Sequence, residues 1–270
     1  MSWNFRIKFL QALCYIGGPL VLIFNWNTEL FLGAWAWHWV AGALGVSIGF
    51  HRCFSHGSFE PKNNIIKALL HFFGVISVVG SSITWTGTHR MHHRYSDTDL
   101  DPHCVEGKDT WTRIKYWFNY WPAHTVEMRY VRNLIKDPMG RFFHRYYFHI
   151  LFAWMALLAL ISIDVFLYGF LVSTMFTLHI ISWITVGAHI FGNSPNPVDS
   201  SKNTVIMGLY MWGEGYHNNH HVKPWAFDFG WGPKQPDLGK WVIQLIGKNL
   251  QYSKQEKPIR YSRNEQHLVN

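Results

Sequence analysis

Residues 30–50 read LFLGAWAWHWVAGALGVSIGF, 21 positions without a formal charge, and residues 51–56 read HRCFSH. A helix rises 1.5 Å per residue, so about 20 apolar residues cross the hydrocarbon core of a bilayer. The first stretch reads as a membrane span, and the second sets two imidazoles at its end. Just upstream, 9–24 is another apolar run, closed by the polar turn NWNTE at 25–29. The two runs make a helical hairpin, the first borrowing its flanks to reach across. Arg6 and Lys8 before it give it the look of a secretory leader. No small-residue cleavage site follows and a second apolar run comes at once, so it reads as a retained anchor.

A second block, 146–191, holds no Lys or Arg, and Asp164 is its only formal charge. It is long enough for two spans with a turn near Asp164. Two such hairpins are hard to bury in a soluble helical bundle of this size. The basic residues agree: two precede the first run, 13 lie between 50 and 146, and nine follow 191, which accounts for all 24. The positive-inside rule then puts both termini, the middle segment and the C-terminal segment in the cytoplasm. Residues 65–85 are apolar but carry Lys67 and His71. If they crossed, basic segments would lie on both faces, so they read as an interfacial or re-entrant helix, and 111–132 as a helix on the membrane surface. The expected fold is an all-α integral membrane protein, a single domain over 1–270. Four transmembrane helices in two hairpins (about 9–28, 30–50, 146–163 and 165–190) carry a cytoplasmic helical cap (51–145 and 191–252) and a polar tail (253–270).

Composition fits this reading. Of 270 residues only 15 % are charged, 17 % are aromatic and 15 are Trp, which suits contact with a membrane interface. The mean hydropathy of −0.03 requires a polar portion to offset the lipid portion. Collagen-like, low-complexity, disordered and disulfide-scaffold classes are excluded. Three cysteines without a C-x-x-C spacing give neither a disulfide framework nor a thiolate metal motif. The net charge of +8 follows from topology and calls for no nucleic acid.

Seventeen histidines are the other anomaly. Nine fall in four places that this topology puts on one membrane face: His51 and His56; His89, His92 and His93 in HRMHH; His189; and His217, His220 and His221 in HNNHH. Positions i, i+3 and i+4 share a side of a helix, so each HxxHH presents three imidazoles together. HxxxxH turns about 140° over five residues, so its two rings converge only if the helix end bends. Imidazole is a ligand for Zn, Cu, Fe and Ni. Nine rings are too many for one tetrahedral zinc and suit two metals side by side. HRMHH lacks the Glu of a zinc-protease HExxH.

These motifs resemble the membrane-bound fatty acid desaturases, in the class acting on acyl-CoA or glycerolipid acyl chains, commonly at Δ9. HRCFSH is similar to the family's first box, THRMHHRYSDTDLDPH to its second, GAHIFGN to its helix-four histidine segment and WGEGYHNNHH to its third, in order from about 35 to 250. The resemblance implies a diiron centre on His51, His56, His89, His92, His93, His189, His217, His220 and His221. It also implies O2 as co-substrate and electrons from an external ferredoxin, rubredoxin or cytochrome b5-like donor. Thr185 stands where relatives often carry an Asn that reaches a metal through water, and Thr88 where an acidic residue often precedes the second box.

The chemistry agrees. A mid-chain alkyl C–H has no usable pKa, so a redox cofactor must break it, and zinc has no redox chemistry. Metal-bound imidazoles usually donate their other N–H to a carboxylate or carbonyl. Asp97, Asp99 and Asp101 follow the second box and Glu214 precedes the third; Asp101 and Glu214 are the expected anchors. The remaining histidines, His103 and His38 among them, read as structural. Trp39 and Trp35, some 12 and 16 residues before His51, are placed to cap an acyl tunnel about 18 Å or more away. A diiron hydroxylase or ketolase of the same superfamily would share fold and metal but add oxygen rather than remove two hydrogens. A metal transporter would place its ligands near the bilayer midplane, not beyond one face.

Overall fold

The computed structural model describes residues 2–120 and 125–254. The described residues are mostly helical, with one two-residue antiparallel pair, β1 (Glu60–Pro61) with β2 (Gly247–Lys248), Glu60 facing Lys248. The helices are α1 (Trp3–Phe24), α2 (Thr28–Ser55), α3 (Asn64–Ile76), α4 (Ser82–Tyr95), α5 (Thr110–Trp117), α6 (Arg132–Lys136), α7 (Pro138–Arg145), α8 (Tyr147–Ile161), α9 (Ile163–His189), α10 (Val205–Tyr210), α11 (His217–Val222) and α12 (Leu238–Ile246).

Among the described residues α1, α2 and α9 are each long and apolar enough to cross a membrane. On α1 one face buries Ile7, Leu10, Cys14 and Val21, while Phe5, Phe9, Leu13, Ile16, Leu20 and Ile23 are exposed. That exposed stripe repeats at helical spacing and needs an apolar surround. The first span, expected at 9–28, is helical from Trp3 to Phe24 because Ser2 Oγ caps it by accepting Phe5 N–H. The turn after α1 is tied to the start of α9: Asn25 Nδ2 donates to Asp164 Oδ1 (2.9 Å) and Tyr168 Oη to the Asn25 carbonyl (2.5 Å). The helix expected at 165–190, α9, begins at Ile163, since Ser162 is the turn residue and caps Val165 N–H; Asp164 lies inside the first turn. The segment at 146–163 departs most. α8 has 15 residues, about 22 Å of rise, and reaches spanning length only together with α7, from which it is bent by 62°.

The stretch at 65–85 is two helices rather than one, broken at 77–81 where Val78 and Gly80 adopt φ of 57° and 95°. Only 110–117 of the expected surface helix at 111–132 is one regular helix, and 121–124 and the tail beyond 254 lie outside the described residues. The C-terminal half of α2, Ala43–Ser55, is wound as a π-helix, and α3 lies along it. A Cβ on Gly45 would fall 2.5 Å from the Phe73 carbonyl oxygen, and one on Gly74 would fall 2.1 Å from the Phe50 ring. These two glycines let the backbones approach.

Candidate metal centre

The π-wound segment explains how HRCFSH presents two rings without a bent helix end. In this winding each N–H reaches back five residues, so i and i+5 stack. His56 N–H donates to the His51 carbonyl at 3.2 Å. The expectation of a bend is thus corrected: wider winding brings the rings together. α4 starts at a capping box, in which Ser81 Oγ accepts Thr84 N–H and Thr84 Oγ1 accepts Ser81 N–H, and it runs through HRMHH. HRCFSH and HRMHH each also carry an arginine turned away from the rings. Arg90 donates to the carbonyls of Ser55, Phe54 and Tyr130, which fastens α4 to the end of α2. Arg52, fully buried, donates to the Trp212 carbonyl (2.8 Å) and Asp237 (3.2 Å) and lies 3.9 Å above the Phe229 ring centroid. In HNNHH the buried asparagines hold flanking loops. Asn218 bonds Asn196, and Asn219 donates to the Phe229 carbonyl and Gln235 Oε1.

All nine box histidines converge. His51, His56, His89, His93 and His220 form one group and His92, His189, His217 and His221 another, with ligand atoms in each within 4.8 Å of one another. The groups adjoin: the His93 and His221 rings are 4.4 Å apart. Nδ1 anchors turn four rings. His51 Nδ1–H donates to Glu214 Oε2 (2.7 Å), His92 Nδ1–H to Asp101 Oδ2 (2.9 Å), His221 Nδ1–H to Asp199 and His189 Nδ1–H to Ser200 Oγ (3.0 Å). Their Nε2 lone pairs are left facing inward. His51 and His220 Nε2 are 2.9 Å apart, His56 and His89 2.8 Å, His93 and His220 2.9 Å, and His217 and His189 3.2 Å. At a metal–nitrogen distance near 2.1 Å an octahedral edge is about 3.0 Å and a tetrahedral edge about 3.4 Å. The inward edges match the former, and buried His92 Nε2 has no hydrogen-bond partner. Burial first, then mutual charge, holds His89, His93, His217 and His220 well below the ordinary imidazole pKa, so these rings are neutral donors. On His92 burial acts downward, but Asp101, with Asp199 and Asp97 behind it, outweighs it and raises the ring. Burial would raise Glu214 as well, yet His51 and Arg52 hold it below the usual carboxylate value. The donor set fits two metal ions.

Of the carboxylates expected as anchors, Asp101 lies against His92 and Glu214 against His51. Asp199 and Ser200 are anchors that the sequence reading missed, and Asp97, named there but not chosen, accepts from Ser200. Asp199 had one available signal, being the only acidic residue between 190 and 213. His103, read as structural, packs on His92 with centroids 4.3 Å apart and shares a third close group with His92 and Asp101. Thr185 donates its hydroxyl to the Ile181 carbonyl and lines a cavity beside His92 and His217. A second cavity, which shares Val46, Ile181 and Ile184 with the first, is bounded by His38, Trp39, Thr177 and Tyr210. Trp39 Nε1–H donates to the Tyr210 carbonyl (2.7 Å), and Trp35 stands behind, against the Tyr210 and His38 rings. The site is therefore a ring of imidazoles at the head of a narrow, mainly apolar passage.

Comparison with known proteins bears on this arrangement. A family model described as fatty acid desaturase matches residues 25–229, a span that includes all nine histidines. The chain is 29 % identical over 251 residues to the sn-1 stearoyl-lipid 9-desaturase of Anabaena variabilis, covering 89 % of this chain and 91 % of that one. It is 32 % identical to the sn-1 stearoyl-lipid 9-desaturase of Synechocystis sp., covering 79 % and 65 %. It is 31 % identical to the acyl-CoA C20 Delta5-desaturase of Anemone leveillei, covering 91 % and 80 %. With the histidines inside the matched span and gathered at an apolar passage, the chain belongs to the fatty acid desaturase family and is an oxidoreductase that desaturates fatty acyl chains.

Proposed function

We propose that this chain introduces a cis double bond at Δ9 of an acyl chain esterified to a membrane glycerolipid, with acyl-CoA as the competing carrier. The observation that carries the proposal is the convergence of nine imidazoles, in groups of five and four, at the head of the apolar passage. Relatives named as stearoyl-lipid and palmitoyl-lipid 9-desaturases support the position and the carrier. The nine histidines hold two iron ions, which when bound supply the O2-activating redox chemistry that side chains lack. The overall reaction takes –CH2–CH2–, O2, two electrons and two protons to –CH=CH– and two waters. An external ferredoxin, rubredoxin or cytochrome b5-like protein supplies the electrons. Glu214, Asp101, Asp199 and Ser200 orient the rings, and Val46, Ile181 and Ile184 keep the reacting carbons away from water. Four spans with α7–α8 as the broken third, and a cytoplasmic cap and termini, follow from the distribution of Lys and Arg.

The test is expression in a host without its own desaturase, with double bonds mapped in its lipids and acyl-CoA pool and iron measured on the purified protein. A Δ9 product two mass units lighter and about two irons per chain is the expected result. A product heavier by one oxygen means a hydroxylase, and no change in acyl mass overturns the reading.

Trp39 and Trp35 are the proposed chain-length stop. Trp39 borders the deep end of the passage, so Trp39→Ala lengthens the space open to the methyl end. One methylene in an apolar pocket discriminates by about tenfold or more. The product profile is therefore expected to move by roughly tenfold toward longer chains, read by gas chromatography of the esters. An unchanged profile removes Trp39 from this role.

A further inference from the structure

The two histidine groups differ in their surroundings. Three carboxylates stand behind the group of four. Asp101 accepts from His92, Asp199 accepts from His221, and Asp97 accepts the hydroxyl of Ser200 (2.6 Å), which itself holds His189. All four of those rings are buried. Behind the group of five, Glu214 is the carboxylate that holds a ring, and cations balance it. Arg52 is 3.9 Å from Glu214 and pairs with Asp237, and Arg90 lies against the His56 end of α2 through the Ser55 carbonyl. This group also includes His93, which is half-buried at the protein surface.

We infer that the chain makes its two metal positions unequal electron acceptors, the five-histidine position being the easier to reduce and the one facing the external donor. The inference rests on the diiron reading above. A ferric ion carries one more positive charge than a ferrous ion, so nearby carboxylates favour the ferric form, and buried ones do so strongly. Asp97, Asp101 and Asp199 hold the four-histidine position oxidised. The compensated charges around His51, His56, His89, His93 and His220 exert less of that pull. The surface position of His93 shortens the path from a docked one-electron carrier. The step is Fe(III) to Fe(II) with the carrier oxidised by one electron, and no covalent bond changes.

The test is a reductive titration of the purified protein loaded with 57Fe, followed by Mössbauer spectroscopy, in the parent chain and Asp199→Asn. The parent is expected to reduce in two resolved one-electron steps. Asp199→Asn raises the equilibrium constant of the harder step at least tenfold, which is 59 mV for one electron, and leaves the easier step in place. Glu214→Gln moves the easier step instead. If Asp199→Asn loses metal, Asp97→Asn, which removes a charge without touching an imidazole, is read in the same way. Coincident steps in the parent, or an Asp199→Asn or Asp97→Asn shift confined to the easier step, overturn the inference. If the parent forms double bonds and holds two irons, such a result leaves the proposed function standing. A parent chain that neither holds iron nor forms double bonds overturns both.

Discussion

A His220→Ala chain, produced in a host without its own desaturase, forms no detectable unsaturated product and retains at most half the iron of its parent. His220 carries this effect because its Nε2 lies 2.9 Å from those of both His51 and His93, which come from two other elements. Removing it takes one corner from the five-histidine group and separates the α2 ring from the α4 ring. Disturbing an outer partner of a metal-bound imidazole typically costs 10–100-fold in affinity or activity, so loss of the imidazole itself costs about 100-fold or more. Ring volume and burial also change, so a control is needed. His149 is exposed and makes ring contact with Tyr146 away from both groups, and His149→Ala is expected to keep parental iron and product. Metal analysis and lipid profiles of the two variants decide the matter. Parental iron in His220→Ala would remove this residue from the ligand set.

How far the sequence carried the reading depends on the kind of signal involved. The HxxHH boxes were legible because their spacing fixes the side of a helix on which the rings emerge, and HRMHH and HNNHH behave so on α4 and α11. HRCFSH was legible as residue types but not as geometry. An α-helix sets i and i+5 apart, whereas Ala43–Ser55 is π-wound where it packs against α3, with Gly45 and Gly74 allowing contact, and no local pattern in the sequence marks that winding. Asp101 and Glu214 sit near their boxes in the chain and could be picked out. Asp199 reaches His221 across a separation of 22 residues that includes α10 and the start of α11, too far apart for any helical or strand period to link the two. The spans were legible where apolar runs were long. At 146–163 the apolar helix α8 lies within the expected bounds, but composition does not register that it reaches spanning length only together with α7, across a 62° bend. Arg52 shows the reverse case. It is a charged residue inside a box, with nothing in its spacing to mark it as buried, yet it lies at 0 % exposure beneath the site.

That burial makes Arg52 the second large effect. Arg52→Met keeps much of the volume but removes the cation that faces Asp237 at 3.2 Å and Glu214 at 3.9 Å. Both carboxylates are buried, and burial already raises the pKa of Asp237 against the pull of Arg52. Breaking one side of a buried pair costs about 3–5 kcal/mol, mostly from the charge left behind, whereas removing both sides costs much less. Arg52→Met is therefore expected to accumulate poorly and to unfold at clearly lower temperature in detergent. The double variant Arg52→Met with Asp237→Asn is expected to recover part of that loss, since it removes both charges while the single asparagine oxygen still accepts one of the two N–H groups, of Phe229 and Lys240, that Asp237 holds on its two oxygens. Lysine is a poor substitute, because a single ammonium cannot reach the Trp212 carbonyl and Asp237 while lying flat over Phe229. Iron retention separates support of the fold from support of the site. The double variant still lacks the cation beside Glu214, the anchor of His51, so it regains stability more fully than metal at the five-histidine group. Arg52→Met unfolding at the parental temperature would mean that the ion pair contributes nothing net to the fold.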